Sequence, residues 1–135
     1  PAAVRAHLID AARTFIFDTG LAPASVGAAL AALGVLERHP ELAAAVLDNA
    51  AALAGACGAD RRPESAVVSV ILGDPQRALD AAAAALERGV RVGVFRPPTV
   101  PEGTSRLRLT ARASLTADEL TQAQQVLTDV LRPGS

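Results

Sequence analysis

Lysine, methionine, tryptophan and tyrosine are missing from all 135 residues, and three phenylalanines are the whole aromatic complement. The core must therefore be aliphatic. All thirteen basic residues are arginine, so chemistry that needs a lysine amine, whether a Schiff base or a lysine-held phosphate, cannot be completed by these residues alone. The single cysteine, Cys57, excludes an internal disulfide, and His7 and His39 show no metal-ligand spacing, so no metal site is expected. Charge of one sign is lacking too: the formal net charge is −1. With no basic cluster and almost no rings for bases to stack on, the composition argues against a nucleic-acid partner. Long hydrophobic runs are absent as well. The mean hydropathy of +0.29 comes from dispersed alanine, and the most apolar stretch, Leu21 to Leu36, contains Pro23 and Ser25 and falls short of the roughly 20 residues that span a bilayer. No membrane partner is expected, and the cytoplasm is the expected compartment. The first residue is Pro1, and no signal-peptide core follows it, so a piece of a longer or processed protein is expected.

What is present reads as alternating helix and strand. The first segment is helical to about Arg13, and Thr14-Phe15-Ile16-Phe17 suits a buried strand that turns at Asp18-Thr19-Gly20. A helix is predicted from Pro23, with Val26, Leu30 and Leu33 on one stripe, until His39-Pro40 interrupts it and Pro40 starts the next as its first residue. Leu42, Val46, Leu53 and Cys57 share that second helix's apolar stripe. Asp60-Arg61-Arg62-Pro63-Glu64 marks a boundary. Beyond it, Ala66 to Leu72 has the continuous apolar pattern of a strand covered on both faces. Asp74 caps a helix that opens at Pro75, turns Leu79, Ala82 and Leu86 inward, and ends at Gly89. A strand from Val90 to Phe95 follows, then a loop whose Pro97, Pro98 and Pro101 fix much of its backbone. The next strand alternates Arg106, Arg108, Thr110 and Arg112 against Leu107, Leu109 and Ala111. Thr116 and Glu119 form a capping box for a last helix that buries Leu120, Ala123, Leu127 and Val130. The fold class is thus α/β, with an α+β small domain: a β-α-β-β-α sheet carrying helices on one face, preceded by connecting helices.

Three features bear on chemistry. An arginine held on a rigid strand presents a planar fork of donors that matches a carboxylate bidentately; the same arginines also read as a solvated strand face, the commoner use of strand-borne charge. Thr99, between proline-constrained stretches, would aim its hydroxyl in a fixed direction, or simply sit in a structural turn. Asp18-Thr19-Gly20 after a buried strand has the look of a phosphate-contacting strand end, and equally of an ordinary turn. Cys57 lies on an apolar stripe and reads as a packed helix residue rather than a nucleophile.

The run Arg96-Pro97-Pro98-Thr99-Val100-Pro101-Glu102-Gly103-Thr104-Ser105-Arg106-Leu107-Arg108-Leu109-Thr110 resembles the C-terminal signature of the 8-amino-7-oxononanoate synthases, a biotin-pathway branch of the α-oxoamine synthase family. The segment from Ala12 to Ala24 resembles that family's stretch shortly after its cofactor lysine. Two motifs in the right order make the resemblance specific. It implies a fold type I pyridoxal-phosphate acyltransferase that condenses L-alanine with pimeloyl-CoA or a pimeloyl-carrier thioester, releasing CoA and carbon dioxide, and works as a homodimer. It also implies a domain plan: residues 1–22 end the cofactor-binding large domain, 23–58 are connecting helices, and 59–135 form the C-terminal small domain. By position, Arg108 matches the family's arginine for the amino-acid carboxylate, Thr99 a substrate-contacting threonine, Arg96 a candidate for the acyl substrate, and Thr19 a residue reaching the neighbouring subunit's cofactor phosphate. No catalytic residue is assigned, because the Schiff-base lysine would lie upstream and these residues alone should be inactive. Asp18 departs from the family's pattern, and a carboxylate beside a phosphate is unfavourable unless it points away. The competing readings are a free-standing module that binds a small carboxylate without catalysis, and a purely structural dimerisation piece.

Overall fold

A computed structural model describes residues 1–12 and 19–132 of the chain. They fall into two compact units, Pro1–Arg38 and His39–Ser135. The first holds α1 (Ala2–Ala11) and α2 (Pro23–Arg38). Neither helix buries a residue, and Val26, Leu30 and Leu33, the expected stripe of α2, are all exposed. The expected strand at Thr14–Phe17 lies outside the described residues.

The second unit contains α3 (Glu41–Ala56), β1 (Val67–Gly73), α4 (Pro75–Glu87), β2 (Gly93–Phe95), β3 (Ser105–Thr110) and α5 (Ala117–Val130). Pro40 precedes α3 as its N-cap rather than opening it. From β1 onward the order is the expected β-α-β-β-α. The three strands form one antiparallel sheet in the order β1-β3-β2, a split β-α-β arrangement in which the last strand enters between the first two.

Alternation along the strands decides the two faces. Val68 and Val70 of β1 pair with Leu109 and Leu107 of β3, and these residues turn toward the helices. One buried cluster joins Ala50, Leu53 and Ala54 of α3 to Val68, Leu109, Ala111 and Leu127. A second joins Ala78 and Ala81 of α4 to Leu107, and Val70, Val92 and Leu131 pack against both clusters. All three helices thus serve one face of the sheet. The expectation that β1 is covered on both sides is corrected accordingly: Val67 and Ile71, on the opposite face, are 45% and 60% exposed.

The inward face of α4 is a second correction. Ala78, Ala81 and Ala85 are buried, whereas Leu79 and Leu86 are exposed and Ala82 is half-buried. Methyl side chains let the helix backbone approach the sheet closely, and the leucines that periodicity pointed inward lie outside that contact. Strand β2 is also shorter than expected. Gly89 takes φ +83° and the Val90 amide donates to the Ala85 carbonyl at 2.9 Å, so the residues after α4 close the helix before pairing begins at Gly93.

Candidate functional site

The sheet face opposite the helices carries Arg108, one of the predicted substrate residues. Register on central β3 sets the neighbours of its arginines: Arg108 lies between Ser69 of β1 and Gly93 of β2, and Arg106 lies between Ile71 and Phe95. Arg108 is exposed, and its guanidinium carbon stands 4.4 Å from the centroid of the Phe95 ring. Arg106 is half-buried and tied down, its Nε donating to the Thr104 carbonyl at 3.0 Å. Arg112 does not belong to this face. Strand β3 ends at Thr110; the Arg112 carbonyl accepts from Asn49 Nδ2 of α3 at 2.9 Å, and its charge lies beside Glu119 of α5.

The loop joining β2 to β3 is held by its own backbone. The Thr99 amide donates to the Arg96 carbonyl at 3.0 Å, closing a tight turn around a cis Pro97–Pro98 bond. Farther along, Thr104 donates to the Pro101 carbonyl from both its amide, at 3.2 Å, and its Oγ1, at 2.7 Å. This pair of hydrogen bonds orients Thr104, whose carbonyl then accepts from Arg106 Nε. Arg96 and Thr99 are exposed at the ends of the first turn. The structure therefore brings Arg96, Thr99 and Arg108 into one small unit, on a strand and a loop that directly precedes it. Thr19 is exposed in the other unit, and Asp18 beside it lies outside the described residues.

The electrostatics suit an anion. Among the described residues no ion pair engages Arg96, Arg106 or Arg108, although acids pair elsewhere, as Asp129 does with Arg88 at 2.9 Å. Nor is the arginine face an enclosed cavity. A groove of about 840 Å³ between α4 and α5, lined by Asp74, Arg77, Asp80, Arg88 and Asp129 among others, includes none of the candidate residues. Cys57, half-buried at the end of α3, has its thiol pushed up to about 11 by burial, which suppresses the nucleophilic thiolate at neutral pH. Sequence reasoning missed Phe95 and Gly93. Their signal was an aromatic and a glycine two residues apart on one strand, which acquires meaning only with the register to β3.

A family model described as "Aminotransferase class I and II" matches residues 1–127. The chain belongs to that family. Among curated proteins it is similar to the 8-amino-7-oxononanoate synthase of Mycobacterium sp. (strain JLS), 73% identical over 131 residues, which are 97% of this chain and 34% of the relative. The namesake protein of Mycolicibacterium smegmatis is 72% identical over the same shares. The chain thus spans about a third of the length of these family relatives. Among solved structures, an 8-amino-7-oxononanoate synthase from Francisella tularensis matches with a TM-score of 0.75 at 25% identity, covering 96% of this chain and 39% of that one. A serine palmitoyltransferase from S. paucimobilis, determined with a bound PLP–myriocin aldimine, matches with a TM-score of 0.80 at 29% identity, over 93% and 33%. The small antiparallel sheet with its helices is thus the α/β fold that this aminotransferase-family chain shares with fold type I enzymes.

Proposed function

We propose that the chain is the C-terminal part of a pyridoxal-phosphate-dependent 8-amino-7-oxononanoate synthase, which condenses L-alanine with pimeloyl-CoA, or a pimeloyl-carrier thioester, and releases CoA and carbon dioxide. Residues 1–22 end its large domain, 23–58 connect, and 59–135 are its small domain. The observation that carries this reading is Arg108, an exposed guanidinium with no acid paired to it among the described residues, on the central strand of the sheet of a chain 73% and 72% identical to two relatives of this name.

The residues fit a substrate-holding role. Arg108 takes the alanine carboxylate through two parallel N–H bonds, which fixes the carboxylate plane and with it the directions of the Cα bonds. Thr99, its backbone set by the Arg96 turn, offers a hydroxyl beside the same loop, and Arg96 takes the acyl substrate. Thr19 offers an exposed hydroxyl to a cofactor phosphate in a homodimer. When bound, pyridoxal phosphate supplies an electron sink for charge developing at Cα. The amine that would bond to the cofactor is not among these residues, since none is lysine; the 135-residue chain alone should retain no side-chain-linked cofactor after borohydride treatment.

Alanine binding to the full-length holoenzyme tests the assignment. Arg108→Leu should lose a charge-assisted contact worth roughly 1.5–3 kcal/mol, lowering alanine affinity by about ten- to a hundredfold. Arg108→Lys should recover only part, because an ammonium keeps the charge without the fork. Arg106→Leu and Arg112→Leu, measured in parallel, should bind alanine nearly as the parent does. If either of these loses affinity while Arg108→Leu does not, Arg108 is the wrong arginine. If none matters, the face is solvated surface.

A further inference from the structure

Gly93 and Phe95 lie two residues apart on β2 and share the sheet face of the arginines, Gly93 opposite Arg108 and Phe95 opposite Arg106. Opposed side chains in a sheet ordinarily fill each other's space. Gly93 contributes none. A Cβ there would lie 3.6 Å from Phe95 Cε2 and 3.8 Å from Arg108 Cβ, so the Phe95 ring already covers the glycine, and Arg108 crosses diagonally to rest on that ring at 4.4 Å. Diagonal neighbours on paired strands are within reach of aromatic and long side chains.

The contact matters because of where a guanidinium keeps its donors. All of its N–H bonds lie in the molecular plane, and the face that meets an aromatic ring has none. A ring against that face therefore restrains the group without using a donor, and the fork stays available for a planar anion. Arg106 shows the alternative fate. It lies directly opposite Phe95, and its Nε is committed to the Thr104 carbonyl at 3.0 Å. Two arginines two residues apart thus differ in their contacts: the Arg106 Nε is tied to the loop, and the Arg108 guanidinium carbon lies over the Phe95 ring with no ion pair among the described residues.

We propose that Phe95 is the positioning residue for Arg108, holding its guanidinium flat with the fork open while Gly93 keeps the space clear. A restrained fork loses less freedom when the carboxylate arrives. This inference rests on the reading of Arg108 as the alanine carboxylate ligand.

The test uses the full-length holoenzyme, with affinity for alanine and for alaninamide, which lacks the carboxylate charge, measured by titration calorimetry. Phe95→Leu should weaken alanine binding by about three- to tenfold and leave alaninamide unchanged. Phe95→Trp, which keeps a ring under the guanidinium, should stay within about twofold of the parent. Phe95→Leu should add nothing to Arg108→Leu. Gly93→Val, a good strand former that displaces the ring, should resemble Phe95→Leu, and it decides the matter by the same criteria if Phe95→Leu fails to fold. Parental alanine binding by Phe95→Leu, alongside a loss for Arg108→Leu, overturns the positioning role alone. Equal losses for alanine and alaninamide overturn it as a purely structural effect. No loss for Arg108→Leu overturns both this inference and the reading beneath it.

Discussion

The hydroxyl of Ser105 is fully enclosed, and its Oγ has no hydrogen-bond partner among the described residues. It sits at the start of β3 opposite Gly73, where the β1 register shifts, on the inward face with Leu107 and Leu109. A buried hydroxyl without a partner forfeits its hydration and gains nothing in return. Ser105→Ala should therefore stabilise the protein by up to about 1 kcal/mol, read as a rise in its denaturant midpoint. A loss of that size would instead reveal a partner for the hydroxyl. Individual residues were unequally legible in the sequence. Arg108 could be singled out because alternation put it on the polar side of a strand, and Thr99 because prolines bracket it. Position along the strand sets Arg106 nearer the loop than Arg108, and its Nε does bond the Thr104 carbonyl; what stays hidden in the sequence is that Phe95 and Gly93 of another strand face the two arginines. Arg112 leaves the face for a related reason: alternation continues past Thr110 in the sequence, but β3 ends there with one further bond, from the Ala111 amide to the Ala66 carbonyl at 2.8 Å, and the Arg112 carbonyl turns to Asn49 of α3.

At the scale of elements, helix ends were the most readable features, because capping is a transaction among residues three apart. Asp74 accepts from the Arg77 amide at 2.7 Å ahead of Pro75. At α5 the Thr116 Oγ1 accepts from the Glu119 amide at 3.2 Å, and the Glu119 carboxylate accepts from the Thr116 amide at 2.8 Å. Thr116→Ala should cost about 1 kcal/mol of stability. The bonds from the Thr116 backbone and side chain, aided by Arg112, hold the exposed Glu119 carboxyl below its ordinary value of 4.5. A carboxyl whose folded pKa is lowered adds stability that is fully present above the unfolded value and disappears as the pH falls through the folded one. Glu119→Gln should accordingly lower stability at pH 7, where the carboxylate's contribution is fully present, and flatten the acid side of the profile below about pH 4.5, so that variant and parent converge in acid. An unchanged acid limb would remove the capping carboxylate from the account. Faces were harder to read than ends. In α4 nearly every inward candidate is alanine or leucine, so two apolar stripes satisfy the helical period, and the choice between them belongs to how closely the sheet lets the helix approach. The exposed apolar side of β1 was unreadable for the opposite reason. A run in which every residue but Ser69 is apolar or glycine reports no face at all.

At the scale of the whole molecule, the order of strands and helices after Gly58 was legible, while the pairing of the strands was not, since that depends on residues dozens of positions apart. The role proposed for Thr19 belongs to this scale as well, because a phosphate contact across a subunit boundary would need two copies of the complete enzyme. Thr19→Val should weaken cofactor affinity in the full-length protein by about one neutral hydrogen bond, roughly 0.5–1.5 kcal/mol, and the parent should sediment as a dimer at assay concentration. A fully active monomer would end that assignment. The strand order has a consequence for the sequence of events during synthesis. Strands β1 and β2 each pair with β3 and lie on either side of it, so a growing chain that has delivered β1, α4 and β2 has two strands and an empty slot between them. The strand that fills the slot is also the one bearing Arg108. Completion of the sheet and completion of the arginine-bearing surface are therefore a single event, and a half-finished chain presents neither.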